Sequence, residues 1–201
     1  MAEVELREAE VGDARAVVQV HLASFPAFFL STLGPGFLRV FYESLSAVDN
    51  GILIVACVDD QVVGFVGGTS DQEGLYRSML SERTFQFVRA AAVAGARHPS
   101  AIPRLLRARR RARGDFDYMQ GASLMTLGVA PQHGRKGIGS LLVSAFSQRL
   151  RADGIEQFSL TTDAVGNEGT NRFYISLGFQ LERELVTLEG RRLNEYVRAS
   201  G

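Results

Sequence analysis

Cysteine is almost absent from this chain: Cys57 is the only one among 201 residues. A single thiol cannot close an intramolecular disulfide or build a Cys-based zinc site, and no metal centre is expected. Cys57 lies in the apolar run Ile52 to Val58 and reads as a small core residue, not a nucleophile. Lysine is equally scarce, with Lys136 standing alone among the basic residues. Neither sign of charge is in excess, since 22 Lys and Arg oppose 22 Asp and Glu. A general nucleic-acid binder, whose affinity rests on neutralising phosphates, is therefore not expected. No apolar run approaches the roughly 18 residues of a membrane helix, and the first residues lack a signal-peptide pattern. The expectation is a cytoplasmic protein with no membrane partner, folded as one domain over residues 1–201.

What is present centres on one stretch. Residues 124–130 (Leu-Met-Thr-Leu-Gly-Val-Ala) are almost continuously apolar, as a strand covered on both faces would be. Pro131 ends that strand, and Gln132-His133-Gly134-Arg135-Lys136-Gly137 makes a glycine-rich loop. Ile138, Leu141, Leu142, Ala145, Phe146 and Leu150 then recur at helical spacing. A strand, loop and helix in this order deliver free amides to a helix N-terminus, where partial positive charge favours a phosphate. Gly134, Gly137 and Gly139 are expected to let the backbone approach a ligand closely and to take positive φ, with Arg135 and Lys136 adding charge. The alternative is a glycine-rich turn with two solvated cations. Two familiar phosphate loops are excluded: a Walker loop needs Lys where Ser140 stands, and the dinucleotide fingerprint needs Gly at Leu142.

Elsewhere, Val4 to Arg7 has strand character, and Gly12-Asp13 precedes a helix running to about Phe25. Phe25, Phe28, Phe29, Phe37, Phe41 and Tyr42 form the densest aromatic region, as core of a second helix or as the lining of an acceptor pocket. Gly51 to Val58 and Val62 to Thr69 form a hairpin around Asp59-Asp60-Gln61. Residues 71 to about 118 suggest one helix around Tyr76, Leu80, Phe87 and Val88 and another around Ile102, Leu105 and Leu106. Arginines crowd this segment from Arg97 to Arg113, as a solvated face or as contacts to an anion. Phe158, Leu160 and Thr162 alternate along a further strand ending at Asp163. A short helix holding Phe173 and Leu177 ends at Gly178, and strands Gln180 to Leu188 and Arg192 to Arg198 turn at Glu189-Gly190-Arg191.

Two motifs carry a resemblance. Gly134-Arg135-Lys136-Gly137-Ile138-Gly139 resembles the acyl-CoA signature of the GNAT N-acetyltransferase superfamily, with Gly134 where the family usually has Arg or Gln. Asn167 to Phe179 resembles the second GNAT signature, Asn-x-x-Ala-x-x-Phe-Tyr-x-x-x-Gly-Phe, with Thr170 in place of Ala. The resemblance implies a mixed α/β fold with a mostly antiparallel, twisted central sheet of about seven strands flanked by helices. An enlarged helical insertion, 71–118, would separate strands 3 and 4.

The resemblance also implies a reaction: transfer of acetyl from acetyl-CoA to the primary amine of a small molecule by direct attack in a ternary complex. The family's cofactor contacts map onto Leu127, Gly128, Val129, Gly134, Arg135, Lys136, Gly137, Ile138, Gly139, Ser140, Asn167, Phe173 and Tyr174. Gly128 would stand at the bulge that splays the central strand, and backbone groups of Leu127 and Val129 would face pantetheine and the acetyl carbonyl. Tyr174 matches the tyrosine that protonates the departing thiolate; packing is its structural alternative. Phe28 and Phe29 would line the acceptor site. Residues 122–130 hold no carboxylate, so the base is sought at Asp163, Asp115, Asp117, Glu168, His21 or His133. The family allows a homodimer. The alternatives are a protein or peptide N-terminal acetyltransferase and a CoA-binding module that has lost catalysis.

Overall fold

The apolar run of the second strand already requires two covers. In the computed structural model that strand, β2 (Gly51–Val58), sends Ile52, Ile54 and Ala56 into one core and Leu53, Val55 and Cys57 into another. Cys57 is therefore the core residue its surroundings suggested. The structure describes residues 3–26, 28–75, 77, 78, 86, 88–90, 92, 121–187 and 190–201. The two helices expected within 71–118, the arginine-rich run, Asp115 and Asp117 lie wholly or largely outside the described residues, as does the side chain of Phe29.

The sheet contains β1 (Glu5–Glu8), β2, β3 (Gln61–Thr69), β4 (Ser123–Val129), β5 (Gln157–Asp163), β6 (Gln180–Val186) and β7 (Arg192–Ala199). Their order is β1-β2-β3-β4-β5-β7-β6, and β4–β5 is the only parallel pairing among the described strands. This is the mixed, mostly antiparallel seven-stranded fold expected. The β2–β3 hairpin turns at Asp59 and Asp60, both at positive φ, so β3 starts one residue before the expected Val62.

One face is covered by α1 (Ala14–Ser24) and α3 (Pro35–Leu45), with the one-turn α2 (Phe29–Thr32) between them; Val17, Leu38, Tyr42 and Phe65 fill that core. The other face carries α4 (Ile138–Ala152) and α5 (Glu168–Ser176), whose core holds Leu142, Phe146, Leu160 and Tyr174. The buried arc of α4 is centred near Phe146 and takes in Val143 and Ser147. Leu141 was expected on that stripe but lies opposite the arc's centre and is 45% exposed.

The sheet is interrupted where function would need it. β4 and β5 share one register pair, Ser123↔Ser159, with the Ser159 N–H donating to Ala122 O at 3.0 Å. Beyond it the two strands part and leave a wedge. On the other side of β4 the register with β3 shifts, since Gly67 faces Thr126 but Gly68 faces Leu124. The extra residue is Met125, so the bulge lies here and not at Gly128. Met125 packs toward α1 and α3, whereas Leu124 packs toward α4. Gly128 pairs regularly with Phe65, and its lack of a side chain has another cause: a Cβ there would sit 2.7 Å from the Phe65 ring.

Candidate active site

The backbone of β4 is directed into the wedge by the alternation of an antiparallel ladder. Ala130 N–H donates to Val63 O at 2.8 Å, which makes that residue a hydrogen-bonded partner of β3. Hydrogen-bonded and non-hydrogen-bonded positions alternate, so Gly128 also faces β3 while Leu127 and Val129 turn their N–H and C=O groups away from it. The Val129 carbonyl accepts a hydrogen bond from the Ser24 hydroxyl of α1 at 3.0 Å, in keeping with that direction. β5 pairs with neither residue.

At the end of β4, Pro131–His133 forms one 3-10 turn and the chain bends into α4. Positive φ falls on Arg135 (59°) and Gly137 (80°). Gly134 is extended instead, and Gly139 lies within the helix, so only one of the three glycines takes the expected conformation. These two left-handed residues fold the loop against the first turn of α4, whose leading amides have no intrahelical partner.

Tyr174 is held by the end of its own helix. Gly178 takes φ +86° and donates to Ile175 O at 3.0 Å, while Phe179 N–H reaches back to Tyr174 O at 3.2 Å. This is a Schellman closure, completed by the Phe179 ring 5.4 Å from the Tyr174 ring. The Gly-Phe pair of the motif thus seats the tyrosine. Asn171, which the sequence did not single out, ties α5 to β5. Its carbonyl accepts from the Thr162 hydroxyl, and its amide donates to Asp163 O at 3.1 Å. Tyr174 is only 7% exposed, and this burial pushes its phenol pKa above the ordinary value, so the proton stays on at neutral pH.

The wedge opens into a cavity of about 350 Å³ lined by Phe25, Leu127, Val129, His133, Arg135, Ile138, Gly139, Gly169, Thr170, Phe173 and Tyr174. Seven of the residues read as cofactor contacts are in this wall. Gly128, Gly134, Lys136, Gly137, Ser140 and Asn167 are not, and Asn167 makes no capping bond from its side chain. Gly169 and Thr170 are wall residues that the sequence did not assign to the site, and Phe25 is the described member of the aromatic region, offered as core or acceptor lining, that stands in it. Phe28 is not part of the wall; its ring is half-exposed and T-shaped to Phe25 at 5.2 Å.

The base candidates separate clearly. Asp163, read as a catalytic residue, does not reach the wall. Arg191 takes both its oxygens, one at 2.6 Å, so its lone pairs are committed to an ion pair. Glu168 is exposed and off the wall, leaving His133 as the one described candidate on it.

His21 is 3% exposed and sits under Phe25, with ring centroids 5.0 Å apart. Its Nδ1 lies 2.7 Å from the Tyr42 hydroxyl, which also bonds the side chain of Thr126 beside the β4 bulge. Nε2 has no partner among the described residues. Burial pushes the His21 pKa down to about 4. The unfolded chain, with its imidazole near 6.5, therefore binds more protons between those values. Stability is full above about pH 6.5 and should fall by about 3 kcal/mol as pH drops through that window. Urea midpoints measured from pH 7 to 4 should show this loss, and His21→Gln should flatten it; an unchanged slope in the variant would exclude His21 as its source.

Comparison with known proteins places this geometry. The FR47-like protein family model matches residues 112–188. No curated protein matches the chain. Among solved structures, a GNAT-family acetyltransferase from Streptococcus pneumoniae is similar at 18% identity, covering 99% of this chain and 100% of that one, with TM-score 0.60. The ribosomal-protein-S18-alanine N-acetyltransferase of Escherichia coli is 14% identical over 99% and 95% of the two chains, with TM-score 0.62. The PaiA N-acetyltransferase of Thermoplasma acidophilum, solved in complex with coenzyme A, is 13% identical over 96% and 98%, with TM-score 0.53. The chain has the fold of the GNAT acetyltransferases.

Proposed function

We propose that this protein transfers an acetyl group from acetyl-CoA to the primary amine of a small molecule, by direct attack within a ternary complex. The observation that carries the reading is a pair of β4 residues, Leu127 and Val129, whose backbone groups turn away from β3, pair with no residue of β5 and open onto the same cavity as Tyr174. An extended chain bearing amides can complete the sheet there, as pantetheine would. The loop from Gly134 to Gly139, with Arg135 on the wall, would receive the pyrophosphate at the start of α4. The GNAT neighbours, one of them solved with coenzyme A, support the same cosubstrate.

The chemistry divides among the chain's own groups. A wedge-facing amide of β4 would donate to the carbonyl oxygen as negative charge develops, a contribution of roughly 3 kcal/mol for a preorganised donor. The amine attacks the thioester carbon, the C–S bond breaks, and Tyr174 supplies the proton to the leaving sulfur. The amine's proton leaves through water or His133. Titration calorimetry with acetyl-CoA, free CoA and ATP tests the site. Micromolar binding of acetyl-CoA with much weaker ATP binding is expected; no acetyl-CoA binding would remove the catalytic reading.

A further inference from the structure

We infer that the acceptor is a monoamine carried on a flat apolar body, such as an arylalkylamine, and not a polyamine or an aminoglycoside; this rests on the acetyl-transfer reading above. The acceptor must reach the thioester from the side of β4 not covered by α4 and α5, and the wall residue on that side is Phe25. Phe25 belongs to a continuous aromatic layer. Its ring contacts His21 at 5.0 Å and Phe28 at 5.2 Å, and His21 in turn contacts Tyr42 at 5.8 Å and Phe65 at 6.2 Å.

The layer is built in advance. The Ser31 hydroxyl holds the Phe25 carbonyl, and the Ser24 hydroxyl, one residue before Phe25, holds Val129 O. Gly128 leaves room for the ring beside the strand, since a Cβ there would stand 3.2 Å from Phe25. Phe28 then extends the layer outward and is 51% exposed, a large ring left in water at the edge of the site. An aryl group stacked on these rings gains contact area and edge-to-face attraction without ordering the wall.

Charge points the same way. Among the described residues the wall holds no carboxylate, and its charged contribution is Arg135. Asp163, at the nearby end of β5, is bound by Arg191. A polyamine or aminoglycoside would bring several ammonium groups to a wall on which no described residue is an anion, at a desolvation cost that nothing described offsets. A monoamine brings one ammonium group, and the deprotonation that attack requires removes that charge, so no further cation is left to desolvate.

The test pairs acetyl-CoA calorimetry with initial rates of CoA release for 2-phenylethylamine, tryptamine, spermidine, kanamycin and a hexapeptide with a free N-terminal alanine. The expected result is a kcat/KM for the aryl amines about 10-fold or more above the other acceptors. Phe28→Ala should lower it by about 10-fold through KM, with acetyl-CoA affinity unchanged. Phe28→Asp, on an exposed position that tolerates the change, should raise spermidine turnover by up to about 5-fold. Higher turnover of spermidine, kanamycin or the peptide by the unaltered protein would overturn the inference while leaving acetyl transfer standing. Acetyl-CoA binding with no turnover of the aryl amines would also overturn it. Absence of acetyl-CoA binding would overturn both this inference and the reading beneath it.

Discussion

Tyr174→Phe is expected to lower kcat by about 100- to 1,000-fold while leaving acetyl-CoA affinity within about 2-fold of the unaltered value. The substitution removes one oxygen and keeps the ring, and the ring is what the fold uses. It packs against Phe173 at 5.1 Å and Phe179 at 5.4 Å, and the Schellman closure beneath it is made by backbone groups. Tyr174 lines the cavity, so removing its hydroxyl leaves the ring packing intact. Folding should therefore be preserved and the deficit confined to turnover. Single-turnover rates with a tightly bound acceptor would separate this from slow product release. Full retained activity would remove Tyr174 as the acid and make it a packing residue.

Gly68→Ala should have a large effect on stability. An added Cβ at Gly68 would lie 2.2 Å from Ser123 O and 2.6 Å from the Phe146 ring. The first contact is with backbone, which cannot swing aside, and Ser123 is the residue that makes the single register pair between β4 and β5. Gly68 also flanks the register shift opposite Met125, so relief would have to come from displacing β4 itself. The expected cost is about 3 kcal/mol or more, a fall in Tm of roughly 6–12 °C for a chain of this size. Gly36→Ala serves as the control. That glycine lies in the first turn of α3 with no atom within 4 Å of an added Cβ. The change should leave Tm unchanged or raise it slightly. A Gly68→Ala protein with unaltered Tm would mean that β4 is not held where the described register puts it.

The order and type of the strands were legible because their signals are local. β2 is apolar on both faces, β5 alternates at Phe158, Leu160 and Thr162, and Gly178 ends α5 as its sequence indicated. The two motifs pointed to one cavity, and Leu127, Val129, Arg135, Ile138, Gly139, Phe173 and Tyr174 meet there. What failed depended on a partner. A glycine in β4 looked like a bulge, yet Gly128 is required by the Phe65 ring across the ladder, and the bulge at Met125 arises only from pairing with Gly67 and Gly68. Asp163 looked like a free carboxylate at a strand end, and Arg191, 28 residues away, has claimed it. Phe25 was read as the end of a helix and as a member of an aromatic run that was either core or acceptor lining; which of those rings reaches the wall follows from how α1 crosses β4. A signal for it existed in the small residue at 128, but only once the two are known to touch.

The wedge between β4 and β5 also has a meaning for solubility. A strand with unpaired amides invites pairing by foreign chains, and proteins ordinarily blunt such edges with charge, proline or an irregular twist. Here the open edge lies inside the sheet, at the fourth of seven strands, flanked by β3 and by the diverging β5 and roofed by the start of α4 and by α5. A chain that uses it must enter between β3 and β5, not along the rim of the sheet. The molecule thereby keeps a backbone recognition surface that would be an aggregation hazard on its rim, and needs no gatekeeper residues along β4 to do so.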